Sequence, residues 1–239
     1  AKAFDITFTG KDNQLHYPHQ TSWGVSTRMI GGIIMTHGDN NGLVLPPRIA
    51  PIQVVIIPVA QHKEGVLEAN RAVMDRLIKA GFRVKMDDSD QSAGWKFAEY
   101  EMKGIPLRLE LGPKDIEKNQ CVLVRRDSGE KSFVSLDGIE DTVASMLDSI
   151  HDGLYAKAKK NLEDNTYACS SLEEVREKMQ ERGGFAKTMW CGDEACEIRM
   201  KEEAGVTSRC IPFAQEHLGD VCPICGKPAK HMVYWGVAY

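Results

Sequence analysis

Two pairs of cysteines near the C-terminal end carry the most specific chemistry in this sequence. Cys191 and Cys196 stand in a C-x4-C spacing, and Cys222-Pro-Ile-Cys225, followed by Gly226, in a C-x2-C spacing. Short loops of this kind let two sulfurs converge at about 2.3 Å from one metal ion, with glycine easing the backbone turn. Four thiolates in two local pairs match the tetrahedral all-cysteine set that holds structural zinc. With every position filled by sulfur, none is left for water or substrate, so the expected metal is structural. The competing readings are four unrelated buried thiols and a redox dithiol at Cys222 and Cys225. A redox dithiol normally opens a helix inside a βαβ unit, whereas this one follows a Leu-Gly-Asp turn. Cys121, Cys169 and Cys210 lack a neighbouring partner cysteine and read as small buried hydrophobes.

A second place for chemistry is Arg28, which follows Trp23-Gly24-Val25-Ser26-Thr27 at the start of an apolar helical run. Side chains and helix N-terminal amides can meet an anion there, but many first-turn arginines are merely solvated, and the local sequence leaves both readings open. His16, His19 and His37 fit no metal-ligand spacing and read as polar packing or surface residues.

The elements that must position these groups follow from hydrophobic periodicity. Residues 3 to 9 alternate as a strand, GKDNQ is a turn, a helix runs from about Thr27 to His37, and GDNNG stops it. PPRIAP holds the chain extended, because each proline fixes its own φ and biases its predecessor away from helix, and it marks a boundary near Pro51. IQVVIIPV has the length and continuity of a buried strand. GVLEANRAVMDRLIKAG has helical spacing with Gly81 at its end, and FRVKMDD is a second strand, giving a βαβ unit. A helix at GWKFAEYEMKG, a strand at PLRLELG and strands at CVLVRRD and KSFVSLD around an SGE turn complete a three-layer α/β domain. From Glu140 to Glu181 the chain is charged and helical, with a break near Asn165 to Ser171 where SSLEE offers a serine cap.

With 239 residues the chain is long enough for one to three domains. Its 30 Lys and Arg against 34 Asp and Glu leave a net charge of −4, so any RNA contact must come from local groups. There is no internal repeat, no low-complexity tract, no basic-then-apolar leader and no apolar run near the roughly 20 residues that cross a bilayer. A cytoplasmic protein without membrane contact is the expectation. Five of the seven cysteines crowd into residues 191 to 225, unlike an evenly stapled secreted scaffold. The chain starts without methionine, directly in AFDITFT, as the later part of a longer protein would.

In order, TSWGVSTR with its helix and THGD, then GLVLPPRIAPIQVVIIPV, GWKFAEYEMKGIPLRLELGPKD, the cysteine pairs and terminal Tyr239 resemble the C-terminal half of a prolyl-tRNA synthetase of the archaeal and eukaryotic-like type. The resemblance covers nearly the whole chain. It implies the end of a class II synthetase catalytic domain with the third signature motif (1–51), an α/β anticodon-binding domain (52–150), a helical linker (151–184) and a small α+β zinc-binding C-terminal domain (185–239). It places Arg28 and Ser26 on ATP, with Arg28 as the catalytic cation, and Ser22, Trp23 and Gly24 on proline.

In the α/β segment the resemblance points to Glu101, Arg108 and Lys114 as anticodon contacts. Proline anticodons end in two guanines, which want a cation toward O6 and N7 and a carboxylate toward N1–H and the amino group. Alternation puts Arg108 and Glu110 on one strand face, where a helix layer must tolerate or expose them. The Tyr239 carboxylate is implied to support the active site from a tail that packs back on the catalytic domain. The implied activity is ATP-dependent activation of proline and its transfer to tRNA(Pro), with Mg-bound ATP as substrate, structural zinc and a homodimer when complete. The family's first two signature motifs lie outside these residues, so the chain alone is expected not to activate proline. A synthetase-like module that binds RNA or protein without catalysis is the alternative, and a threonyl- or glycyl-type relative a third.

Overall fold

The computed structural model describes residues 1–238, which fall into two compact units, one ending at Val143 and one beginning at Ala144. Tyr239 lies outside the described residues.

The first unit begins with a single 3-10 turn at Lys2–Phe4 and a two-residue pair, β1 (Phe8–Thr9) against β2 (Leu15–His16). The continuous strand expected over residues 3 to 9 does not form. Asp5 takes a left-handed φ of 51°, which breaks the extended run, and its carboxylate accepts from the Tyr17 hydroxyl at 2.9 Å. Helix α1 (Arg28–His37) follows with Thr27 at its N-cap and ends on Gly38, whose N–H returns to the Ile34 carbonyl.

The five-stranded sheet is built next. Strand β3 (Val54–Pro58) is buried at every residue, as a central parallel strand covered on both faces must be. Helix α2 (Val66–Lys79) buries Val66, Asn70, Val73 and Leu77 at helical spacing and leads to β4 (Val84–Met86). Helix α3 (Ala93–Met102), capped by the Ser92 hydroxyl on the Trp95 N–H, leads to β5 (Leu107–Leu111). The short α4 (Pro113–Glu117) is pinned by the Asp115 carboxylate on the Gly112 N–H, and β6 (Gln120–Arg125) and β7 (Lys131–Ser135) close the sheet as a hairpin.

The sheet order is β4-β3-β5-β6-β7, with β3 parallel to β4 and β5 and the remaining pairs antiparallel. The crossovers β3-α2-β4 and β4-α3-β5 travel in opposite directions, and right-handed connections then put α2 and α3 on opposite faces. Accordingly Phe97 and Tyr100 of α3 pack with Val55 and Ile57 of β3, while Val54 and Ile56 point to the other side. The prolines of PPRIAP are held rather than free: Arg83 donates from Nε to the Ala50 carbonyl at 2.8 Å and from Nη2 to the Pro47 carbonyl at 2.9 Å.

Helix α5 (Ile139–Asp164) runs from one unit into the other. The break expected after it contains a strand, β8 (Thr166–Ala168), and Ser171 caps α6 (Leu172–Glu181) through its hydroxyl on the Glu174 N–H. There follow β9 (Phe185–Trp190), α7 (Glu194–Ala204), β10 (Val206–Cys210) and β11 (His231–Val237). These strands form a second sheet in the order β10-β11-β9-β8, parallel only between β8 and β9. Its core gathers Val175, Met179, Met200, Val206 and Trp235 around the buried cysteines, with Trp190 edge-on to Trp235. Among the described residues no helix is long and apolar enough to cross a membrane.

Candidate functional site

Three groups of residues singled out by the sequence come to three different places. The first is a cleft of about 190 Å³ on the α3 face of the five-stranded sheet, lined among others by Glu101, Arg108, Arg125, Arg126 and Lys131. Register explains why they meet: Val55, Arg108, Val124 and Lys131 are successive cross-strand partners and share one face. Apolar and cationic side chains from four strands thus alternate along the row toward the hairpin edge.

Arg108 is anchored within this row. Its guanidinium lies 4.1 Å from the Phe97 ring centroid, and its Nε donates to Glu110 Oε1 at 2.9 Å, with both side chains only 13–14% exposed. The helix layer therefore accommodates the charged pair by stacking and pairing it, which fixes the guanidinium plane at the cleft wall. Arg125 is fixed similarly by two hydrogen bonds to the Asp127 carboxylate, at 2.8 and 3.0 Å.

Glu101, at the C-terminal end of α3, lines the same cleft, and its carboxylate accepts from Asn41 Nδ2 at 2.9 Å. Cations and a carboxylate on one wall are the groups that a guanine edge requires. Lys114 does not join them. It is exposed on α4, beyond the C-terminal end of β5, and does not line the cleft. Arg125, Arg126 and Lys131 were not singled out from the sequence. The available signal was Arg-Arg at the end of a strand followed by a glycine-containing hairpin and a lysine, but pairing across β5, β6 and β7 was needed to bring them to Arg108.

The second place is the cysteine cluster. Cys191 leaves β9 into a turn where Gly192 has φ 85°, and Cys196 lies in the first turn of α7, capped by the Asp193 carboxylate on the Ala195 N–H. Cys222 and Cys225 sit on a knuckle closed by Cys222 N–H to the Lys227 carbonyl and Gly226 N–H to the Cys222 carbonyl, both 2.8 Å, with Gly226 at φ 71°. All four sulfurs lie within 4.8 Å of one another, and Cys191 is 3.7 Å from both Cys196 and Cys225.

Burial pushes the Cys191 and Cys196 thiols up, whereas backbone donation at Lys227 brings Cys225 down to about 7. Three buried thiols and one exposed one, converging from two rigid loops, fit a tetrahedral divalent cation of the zinc type. The Lys227 ammonium bonds Asp193, and Arg199 donates to the Ile224 carbonyl at 2.7 Å, so the two loops are also tied around the sulfurs. Cys121 and Cys169 are buried as expected, but Cys210 is exposed, because it ends β10 at the sheet edge where the register against β11 shifts.

The third place is the segment before α1. Ser22, Trp23, Gly24, Ser26 and Arg28 are all exposed, Trp23 by 91%, and Arg28 is the first residue of α1 with its N–H 3.4 Å from the Ser26 hydroxyl.

Comparison with known proteins adds the following. Residues 172–239 match the family described as "Prolyl-tRNA synthetase, C-terminal", and residues 53–146 match "Anticodon binding domain". Curated relatives align over all of the chain: "Proline--tRNA ligase" of Ruminiclostridium cellulolyticum at 61% identity, "Proline--tRNA ligase 2" of Bacillus thuringiensis subsp. konkukian at 59%, and "Proline--tRNA ligase" of Clostridium botulinum (strain Okra / Type B1) at 59%. The chain spans about half the length of these relatives, 50% in each case.

Proposed function

The chain belongs to the prolyl-tRNA synthetase family, and from that premise we propose that it is the tRNA-reading half of a ligase that joins proline to tRNA(Pro) at the expense of ATP. The observation that carries this reading is the cleft of Glu101, Arg108, Arg125, Arg126 and Lys131, on the sheet matched as an anticodon-binding domain. Guanines of a proline anticodon would be held there by Arg108 toward O6 and N7 and by Glu101 toward N1–H and the amino group. Lys114, outside the cleft, would meet the RNA backbone or a neighbouring nucleotide.

In the complete protein, Arg28 would face the phosphates of Mg-bound ATP. Attack of the proline carboxylate on the α-phosphate builds negative charge on phosphorus oxygens and pyrophosphate, and a preorganised planar guanidinium stabilises that charge better than a point-like ammonium. Ser26 would stand beside it on the nucleotide, with Ser22, Trp23 and Gly24 on the proline side and the Tyr239 carboxylate in support. The segment 1–51 would be the end of the catalytic domain, 52–150 the anticodon-binding domain, 151–184 the connection into the last domain, with β8 and α6 packed into its sheet and core, and 185–239 the zinc-binding domain. Cys191, Cys196, Cys222 and Cys225 would hold a structural zinc, which supplies folding energy to the last domain. A homodimer working in the cytoplasm completes the reading.

The test uses the complete protein that carries this chain. Proline-dependent exchange of pyrophosphate into ATP, together with proline charging of tRNA(Pro), is the expected result. Absence of both in a folded preparation would sink the reading.

A further inference from the structure

The cleft and helix α1 are joined by one set of contacts. Arg126, whose side chain is 5% exposed, directs its two terminal nitrogens to the two carboxylate oxygens of Asp39 at 2.6 and 2.7 Å, and its Nε to the Glu101 carbonyl at 2.7 Å. The Glu101 carboxylate in turn accepts from Asn41, whose own N–H bonds Asp39 Oδ1 at 2.8 Å. Asp39 is two residues past the end of α1.

The backbones on either side are in direct contact. Leu43 N–H reaches the Met102 carbonyl at 2.9 Å, and Leu45 N–H reaches the Gly104 carbonyl at 3.1 Å. A Cβ on Gly42, at φ 125°, would lie 2.5 Å from the Met102 carbonyl oxygen, and one on Gly104, at φ 71°, 2.6 Å from the Leu43 backbone. Neither turn has room to shift without moving the other.

We infer that Asp39, Asn41 and Arg126 are positioning residues through which a base bound at Glu101 is sensed at α1, and so at Arg28 at its far end. The inference rests on the function proposed above and deepens it. The two-state element is the Glu101 carboxylate. Without RNA it bonds Asn41; a guanine edge that takes both carboxylate oxygens must displace or share that bond. Releasing Asn41 loosens the 39–42 turn against its Arg126 clamp, and that turn is the C-terminal anchor of α1. The helix is ten residues long, so a rotation at its anchored end is delivered to Arg28 about 15 Å away at 1.5 Å rise per residue.

The test is steady-state kinetics on the complete protein carrying Asp39→Asn, which keeps the shape but weakens the fork with Arg126. The expected result is a fall of about tenfold in kcat for tRNA charging, within the usual range for coupling between sites. KM for tRNA and tRNA-independent pyrophosphate exchange should each stay within about twofold of wild type on the same scale. Asp39→Glu, which restores the carboxylate, should recover most of kcat. Asn41→Ala, which leaves the buried Arg126 paired, should give the same kcat-selective loss and guards against misfolding of Asp39→Asn.

Equal losses in charging and exchange for Asn41→Ala would reduce the contacts to scaffolding and overturn the inference. An effect confined to KM for tRNA, or no effect, would overturn it too. Wild-type protein that neither exchanges nor charges would remove the functional premise itself, so the two failures are distinguishable.

Discussion

Arg126 and Asp39 form a two-pronged ion pair, at 2.6 and 2.7 Å, between the end of a sheet strand and the turn that follows α1. They are 87 residues apart in sequence. One partner is almost fully buried and the other is half exposed, so the pair's value lies mainly in keeping the buried guanidinium satisfied.

That asymmetry has a pH consequence. Hydrogen bonding to Arg126 lowers the Asp39 carboxyl to about 2, from 3.8 ordinarily. A carboxyl with a depressed folded-state value contributes stability that is present above its unfolded value and is lost as pH falls through the folded one. The contribution should therefore be intact above about pH 4 and disappear between about 4 and 2. Asp39→Ala should cost about 1–3 kcal/mol at neutral pH, the range for leaving a buried donor unpaired, and the gap between variant and wild type should close on acidification. Denaturant midpoints at pH 7 and pH 3 measure both; a pH-independent gap would contradict the assignment.

The cysteine cluster makes a separate prediction. Metal analysis of intact protein should find about one zinc per chain, since a four-sulfur set of this kind holds a single ion. Cys222→Ser or a strong chelator should release it and lower the melting temperature of the C-terminal sheet, because the core of that sheet includes Cys191, Cys196 and Cys222. Metal-free protein with an unchanged melting temperature would contradict a structural role.

Arg28→Ala in the complete protein should lower proline-dependent pyrophosphate exchange by about 10²–10³, the scale for losing one electrostatic stabiliser of developing charge. Arg28→Lys should recover little of it, because a point charge does not reproduce the planar fork. Near-normal exchange in Arg28→Ala would make it a solvated helix residue.

Arg108→Ala should weaken charging of tRNA(Pro) while leaving exchange, which needs no tRNA, near wild type. The expected loss is about 1–3 kcal/mol at the recognised base. Phe97→Leu should act in the same direction more mildly, because it removes the ring on which the guanidinium rests. Parallel losses in both assays would point to a folding defect in the sheet.

The parts of this structure legible in the sequence are those set by local rules. The continuous apolar run 52–59 became β3, helical spacing gave α2, and Ser171 capped α6 as its sequence suggested. The four cysteines converge because local pairs already halve the problem. What escaped depends on non-local pairing. Strand β9 follows the turn pair Gly183-Gly184, but β10 and β11 are joined across the whole knuckle, so the pairing of this sheet has no local signature. Lys131 became a cleft residue only through its register with Val124 and so with Arg108, and Arg125 and Arg126 through the pairing of β6 with β5 that carries them to the same end. The strand expected at residues 3 to 9 failed because alternation alone does not supply a partner, and Asp5 was free to turn the chain.

Everything proposed for the cleft beside Arg108 depends on its reading the two guanines of a proline anticodon. Its most direct test is titration of this chain with a stem-loop whose anticodon ends in GG, and with versions carrying adenine at each guanine, at one fixed salt concentration. Each replacement should weaken binding by about 1–3 kcal/mol, and Arg108→Ala or Glu101→Gln should erase the difference at one position. Equal affinity for all the stem-loops, with wild-type protein folded and zinc-loaded, would contradict it.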